Sequence, residues 1–265
     1  MKSFLWTVGV VVFINLQLHA QNEVEHNNMQ FIAAGKYLPL YSGNNNYKEI
    51  KAFYIDRYPV TNYEYSLFVR ENPDWGKNQV KRLFSDKGYL KHWDDNHSFD
   101  NRLKDSPVVN ISWFAAQKYC ECQGKRLPTT DEWERVAAAG LKSADGSKER
   151  DFQQWVLKVT SSAQPKPIPA VGSTKQNFFG VWDMHGLVWE WTYDFNSSLS
   201  SGESRGDAGS GSNLFCGGGG AQAGDVENYP AFLRYALRSS LKATHVLQNL
   251  GFRCVSEVKV QTGRK

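Results

Sequence analysis

The chain of 265 residues, 41% of them hydrophobic, is long enough for one large domain with a substantial core. Its formal charge of +4 is small and dispersed, with no Lys/Arg block beyond Arg264 and Lys265, which argues against nucleic acid as a partner. Nine Trp, 14% aromatics and 22 Gly favour short strands and loops pinned by large rings over a helical bundle.

In chain order, residues 1–20 read as a secretory signal peptide. Lys2 supplies the positive start, and Phe4 to Leu18 form an apolar run interrupted by Thr7, Gly9, Asn15 and Gln17. Leu18-His19-Ala20 offers a cleavage site before Gln21. The run is shorter than the ~20 apolar residues of a membrane span. The expectation is a secreted or periplasmic protein with no span after cleavage: a mobile lead-in at 21–28, a domain at 29–258 and a tail at 259–265.

Strands are predicted over Met29 to Ala33 and Lys51 to Tyr58, with a Gly/Asn-rich turn at Gly43 to Asn46 between them. Thr61 or Asn62 can cap a helix over 62–71 whose apolar face is Tyr63, Leu67 and Phe68. Residues 73–105 are polar and weakly periodic and read as a long surface excursion. Ser112 caps a second helix to about Gln123, with Trp113, Ala116 and Cys120 facing inward and Gly124 as its stop. Thr129 and Glu132 have capping-box spacing and open a third helix over about 130–139, carrying Trp133, Val136 and Ala137. Residues 141–169 read as a connector, Leu187 to Thr192 as a strand, and 196–212 as a Ser/Gly-rich loop. On that strand Trp189 and Trp191 share one face and Glu190 the other.

An exported chain keeps its cysteines in an oxidising compartment, where Cys120, Cys122, Cys216 and Cys254 can form two disulfides with three connectivities. Cys120 and Cys122 point roughly 200° apart on a helix, so they need different partners. The stretch from Cys216 to Cys254 holds the other candidates. Gly217 to Gly220 admit positive φ and close approach. Asp225 and Glu227 can hold a hard cation or a substrate amine, or form a solvated acidic turn. Cys216 is either a reactive thiol, a partner for Cys122, or buried. Arg234 and Arg238 lie four apart, a spacing suited to clamping a carboxylate. That carboxylate is either a ligand's or, internally, that of Glu132 or Glu134. Trp189 is either core or a ring on which a ligand stacks. His185 and His245 show no metal-ligand spacing.

The pieces AFYIDRYPVTNYEY, SPVVNISWFAAQKYC, GKRLPTTDEWERVAAAG, FGVWDMHGLVWEWT and NLGFRC, in this order, resemble the formylglycine-generating enzyme (sulfatase-modifying factor) family over residues 29–257. The resemblance implies an α+β, C-type-lectin-like fold of low regular content and a protein or peptide substrate. It implies a disulfide between Cys120 and Cys254; a second family disulfide would fall on Ala137 and Tyr235, and both cysteines are absent together. The family's two copper(I) thiolates match Asp225 and Pro230, neither of which replaces a soft sulfur ligand. A family calcium-site asparagine matches Leu187, which carries no side-chain oxygen. No second calcium loop is recognisable in residues 141–175. The copper and calcium sites are therefore not preserved at the matched positions, so no residue is assigned to a metal and the cofactor stays open. Three readings follow: a protein-binding or maturation factor without the oxidase chemistry, an oxidase relocated to Cys216, or a non-catalytic ligand-binding or structural module.

Overall fold

The computed structural model describes residues 28–39, 47–196 and 229–258. The signal peptide, the Gly43–Asn46 turn, the 196–212 loop beyond Asn196, the glycine run, Cys216, Asp225, Glu227 and the tail lie outside the described residues. The architecture is α+β, with short strands and helices joined by long ordered loops.

Strand β1 (Met29–Ile32) pairs antiparallel with β4 (Phe53–Asp56), which pairs with the late strand β7 (Val255–Glu257). Ile32, Phe53, Ile55 and Val255 are buried in this sheet and pack on Trp133 and Val136. A hairpin that the sequence pattern did not reveal joins β2 (Gly35–Tyr37) and β3 (Lys48–Ile50).

Helix α1 (Asn62–Glu71) begins at Thr61, whose side chain accepts from the Glu64 amide while Glu64 answers the Thr61 amide. Its predicted face is corrected: Tyr63 is 54% and Leu67 40% exposed, whereas Tyr65, Phe68 and Val69 are buried. The helix is turned this way because Asn62 goes inward. Its Nδ2 donates to the carbonyls of Leu103 and Ser106, each at 3.0 Å, and its Oδ1 accepts from Trp93 Nε1 at 2.8 Å. Residues 73–105 are accordingly no surface excursion. They bring Tyr89, Leu90 and Trp93 into the larger core cluster, with the Tyr65 and Tyr89 hydroxyls 2.6 Å apart.

Helix α2 (Trp113–Cys122) is capped by Ser112, and Gly124 ends it at φ +67°. Trp113 on it is half-buried, with Ala116 and Cys120 buried. Helix α3 (Thr130–Ala137) carries the expected capping box and stops two residues before the predicted 139, where the Ala138 amide folds back on Glu134. The 141–169 connector is also corrected, because helix α4 (Arg150–Ser161) runs through it. Its apolar residues Phe152, Trp155, Val156 and Val159 recur at helical spacing, but charged and proline-rich flanks concealed them. The predicted 187–192 strand shrinks to β5 (Trp189–Glu190), parallel to β6 (Leu250–Gly251). Both faces of β5 point into protein: Trp191 and Glu190 are buried, and Trp189 is half-buried against the core. The basic-aromatic segment after the undescribed stretch is a further helix, α5 (Tyr229–Ser240).

The cores meet along one segment. Leu250, Phe252 and Cys254 enter the larger cluster, while Val255 enters the sheet cluster. Gly251 passes so close that a Cβ there would sit 2.7 Å from the Val108 carbonyl oxygen. Cys120 and Cys254 form a disulfide across 134 residues, with Cα atoms 5.6 Å apart. Among the described residues no helix is long and apolar enough to cross a membrane.

Candidate functional site

Two buried carboxylates organise the region around Trp133. Glu134, on α3, faces α5 and accepts from Arg234 Nε at 2.9 Å, Arg234 Nη2 at 2.7 Å and Arg238 Nη1 at 2.6 Å. The arginine pair therefore clamps a carboxylate of the protein itself, and it is Glu134 rather than Glu132. Glu132 instead closes its own capping box and bonds Arg126. Both guanidiniums also lie against the Trp133 ring, at 5.4 Å for Arg234 and 4.8 Å for Arg238. Burial alone pushes the Glu134 carboxyl up, but the facing charges of Arg234 and Arg238 outweigh it and bring it down to about 2.

On the other side, Trp133 Nε1 donates to Glu190 Oε2 at 2.7 Å. The same carboxylate takes Arg253 through Nε and Nη2, both at 2.8 Å, and neither side chain is accessible to solvent. The remaining Arg253 donors reach the carbonyls of Asp56, Arg57 and Trp182, which ties β4 and the 181–186 turn to β6. This bidentate pair links two distant segments, and sequence reading missed it. The NLGFRC arginine was its one available signal.

His185 is buried between Phe152 and Trp155 and places Nε2 2.9 Å from the Ala137 carbonyl. Burial first, then the Arg234 charge, lower its pKa to about 4, so it is neutral near pH 7. Tyr37 bonds Asp131, which also takes Lys48 at 2.7 Å, at the edge of this region.

Pro230 sits in the first turn of α5 and is buried. A copper(I) thiolate site matched to this position does not fit the residue present, because a pyrrolidine ring offers no donor atom. The calcium positions fail the same test. Leu187 is buried and apolar. In and beside the 141–175 region, Glu149 and Asp183 face backbone N–H groups. Glu149 accepts from the Leu141, Lys142 and Ser143 amides at 2.8, 3.0 and 3.1 Å. Asp183 accepts from the Gly172 amide and, at 3.0 Å, from that of Thr174. Loops that aim N–H groups inward suit an anion, whereas calcium requires six to eight oxygens. Among the described residues no group of three His, Cys, Asp or Glu is arranged to hold a metal.

Of the candidate residues, Arg234 and Arg238 come together on Glu134, and Cys120 and Cys254 are bonded. Trp189 stands apart on β5, its amide donating to the Asn249 carbonyl at 2.8 Å. Cys122 is exposed with a free thiol.

A family model described as a sulfatase-modifying factor enzyme 1-like domain matches residues 16–258. The formylglycine-generating enzyme of Streptomyces coelicolor is 32% identical over 256 residues, covering 81% of this chain and 81% of that protein. The inactive C-alpha-formylglycine-generating enzyme 2 of Bos taurus is 30% identical over 180 residues. That match takes in 54% of this chain and 60% of the bovine protein's length. Among solved structures, CarF is similar with a TM-score of 0.49 at 17% identity, over 88% of this chain and 98% of its own.

Proposed function

We propose, from the premise that this chain belongs to the sulfatase-modifying factor family, that it is an exported member which binds another exported protein and helps it mature without copper–thiolate oxidation. The observation that carries this reading is Pro230, buried in the first turn of α5 where an active relative is expected to place a thiolate. The second matched position, Asp225, is a hard carboxylate ligand and a poor partner for a soft monovalent metal. The bovine relative named as inactive gives a precedent within the family for a member without the oxidation. Export is supported by the signal-like start of the chain, and the Cys120–Cys254 disulfide suits an oxidising compartment.

In this reading the site residues hold a surface rather than carry out a reaction. Arg234 and Arg238 fasten α5 to α3 through Glu134, and the Glu190–Arg253 pair fixes β5 against β6. A partner would then meet a pre-set face, which lowers the entropy lost on association.

The test is to supply the purified chain with copper(I), oxygen and a Cys-containing sulfatase peptide, and to follow the peptide by mass spectrometry. The expected result is an unchanged peptide. Formation of the aldehyde, abolished by Cys216→Ser, would overturn the proposal and establish an oxidase with a relocated thiol.

A further inference from the structure

A pocket of about 260 Å³ lies where the end of β4, the first turns of α1 and the end of α2 meet. It is smaller than the ~300–1,000 Å³ of a site for a whole small molecule, and its size suits a single side chain. Leu67, 40% exposed, stands at the mouth with the half-buried Tyr58 and Val171. Deeper in lie Asp56 and Tyr119, both buried, and the half-buried Glu64. An apolar rim over a polar floor matches a side chain with an aliphatic stem and a charged tip.

The charges in the lining are unbalanced, with the carboxylates of Asp56 and Glu64 set against the ammonium of Lys125 alone. Asp56 is fully committed. Its Oδ1 holds Lys125 Nζ at 2.6 Å, and its Oδ2 accepts from the Cys254 amide at 2.9 Å. Glu64 is only half committed. Its Oε2 accepts from both the amide and the hydroxyl of Thr61, each at 2.8 Å, while Oε1 has no partner among the described residues.

Tyr119 is the other unmatched group. Its ring is packed in the core against Tyr65, Phe68 and Phe252, so the hydroxyl is the end that reaches the pocket. Burial first, then the charges of Glu64 and Asp56, push its pKa up, which keeps the phenol protonated and places it in the field of both carboxylates. Among the described residues it nevertheless hydrogen-bonds neither of them, although the side chain is only 7% exposed. The hydroxyl and the open Glu64 oxygen therefore face a gap that a donor would fill. The open oxygens also select the donor. A guanidinium gains its advantage from two oxygens of one carboxylate, and neither carboxylate here has both open. An ammonium directs its N–H groups singly, so the Glu64 and Tyr119 oxygens can each take one.

We infer that this pocket receives a lysine side chain of the protein partner, with its ammonium between Glu64 Oε1 and the Tyr119 hydroxyl and its stem along Leu67, Tyr58 and Val171. The inference deepens the proposed function and rests on its claim that the partner is a protein.

The experiment is an NMR chemical-shift titration of the purified chain with end-blocked lysine, end-blocked lysine acetylated at Nζ, end-blocked arginine and n-butylammonium. End-blocked lysine is expected to shift the amides around the pocket and to bind about tenfold more tightly than its acetylated form, with arginine weaker than lysine. Glu64→Gln keeps the capping box but not the charge, and Tyr119→Phe keeps the ring but not the hydroxyl. Each is expected to weaken lysine binding about tenfold with an unshifted thermal midpoint. Equal binding of lysine and its acetylated form, a preference for arginine, or unchanged affinity in both variants would each overturn the assignment. Binding of n-butylammonium without end-blocked lysine would mark a site for free amines and overturn it as well, as would no shift with any probe. An aldehyde product in the oxidation assay sinks the non-oxidase reading and leaves the pocket standing. Loss of the lysine preference does the reverse.

Discussion

Replacing Glu134 with Gln tests whether the clamp on α5 does the holding. The carboxylate is almost fully buried and faces two guanidiniums that are themselves buried, with side-chain exposures of 5% for Glu134, 9% for Arg234 and 5% for Arg238. Removing the negative charge leaves two buried cations uncompensated, a change that costs about 3–5 kcal/mol. The pKa shift gives an independent figure. The carboxyl falls from its ordinary 4.5 to about 2 in the folded chain. Such a shift corresponds to about 3 kcal/mol. Because the folded pKa is depressed, this stability is fully present above pH 4.5 and is lost as pH falls toward 2. By pH ~3 the unfolded chain is protonated at this group while the folded one is not, so about 2 kcal/mol of the contribution is gone. Urea denaturation of the wild type and Glu134→Gln, at neutral pH and near pH 3, reads both quantities. The wild type should exceed the variant by about 3–5 kcal/mol at neutral pH, and the gap should narrow by about 2 kcal/mol in acid. A gap under about 1 kcal/mol, or one that does not move with pH, would refute the reasoning, since surface ion pairs behave that way.

Two further outcomes are expected. The Cys120–Cys254 bond closes a loop spanning 134 residues, so Cys120→Ala/Cys254→Ala should lose about 2–5 kcal/mol by urea denaturation. Peptide mapping without reductant that finds both as free thiols would contradict the bond. His185, neutral when folded with a pKa of about 4 against an ordinary 6.5, contributes stability that is present above pH 6.5 and lost as pH falls toward 4. Thermal or urea melts should therefore show His185→Gln losing less than the wild type between neutral pH and pH ~5, by about 2 kcal/mol. Parallel pH profiles would show that the ring is not buried in its neutral form.

Much of the helical framework was legible because capping is local chemistry. Ser112, Thr129 and Glu132 bond amides within three residues of themselves, so their spacing alone marks where α2 and α3 begin. The face of α1 was not legible. Asn62 reads as a surface residue until Trp93 and His92, some thirty positions later, are known to bond its amide oxygen. Helix α4 carried its periodicity openly, but the charges before it and the prolines after it resemble a linker. The site divides in the same way. Four-residue spacing marked Arg234 and Arg238 as a clamp for one carboxylate, yet only tertiary structure selects Glu134 over its neighbour Glu132. Glu190 and Arg253 are 63 residues apart and the groups around the Glu64 pocket come from separate segments, so no window of sequence contains either arrangement.

The path of residues 250–257 between the two core clusters bears on the order in which the molecule can be assembled. β4 lacks one of its two neighbours, β5 lacks its parallel partner, Glu190 faces no cation and Cys120 has no second sulfur until this one segment arrives. The β4–β7 pairing closes almost the whole domain and the other three contacts close long loops, so their loop-closure entropy slows the committed step of folding. The preceding two hundred residues therefore cannot complete either core by themselves during synthesis. A chain whose two cores both wait on this late segment stays open, and exposed to proteolysis, until that segment docks. Closure of the Cys120–Cys254 bond joins the late segment covalently to α2 and makes its docking hard to reverse.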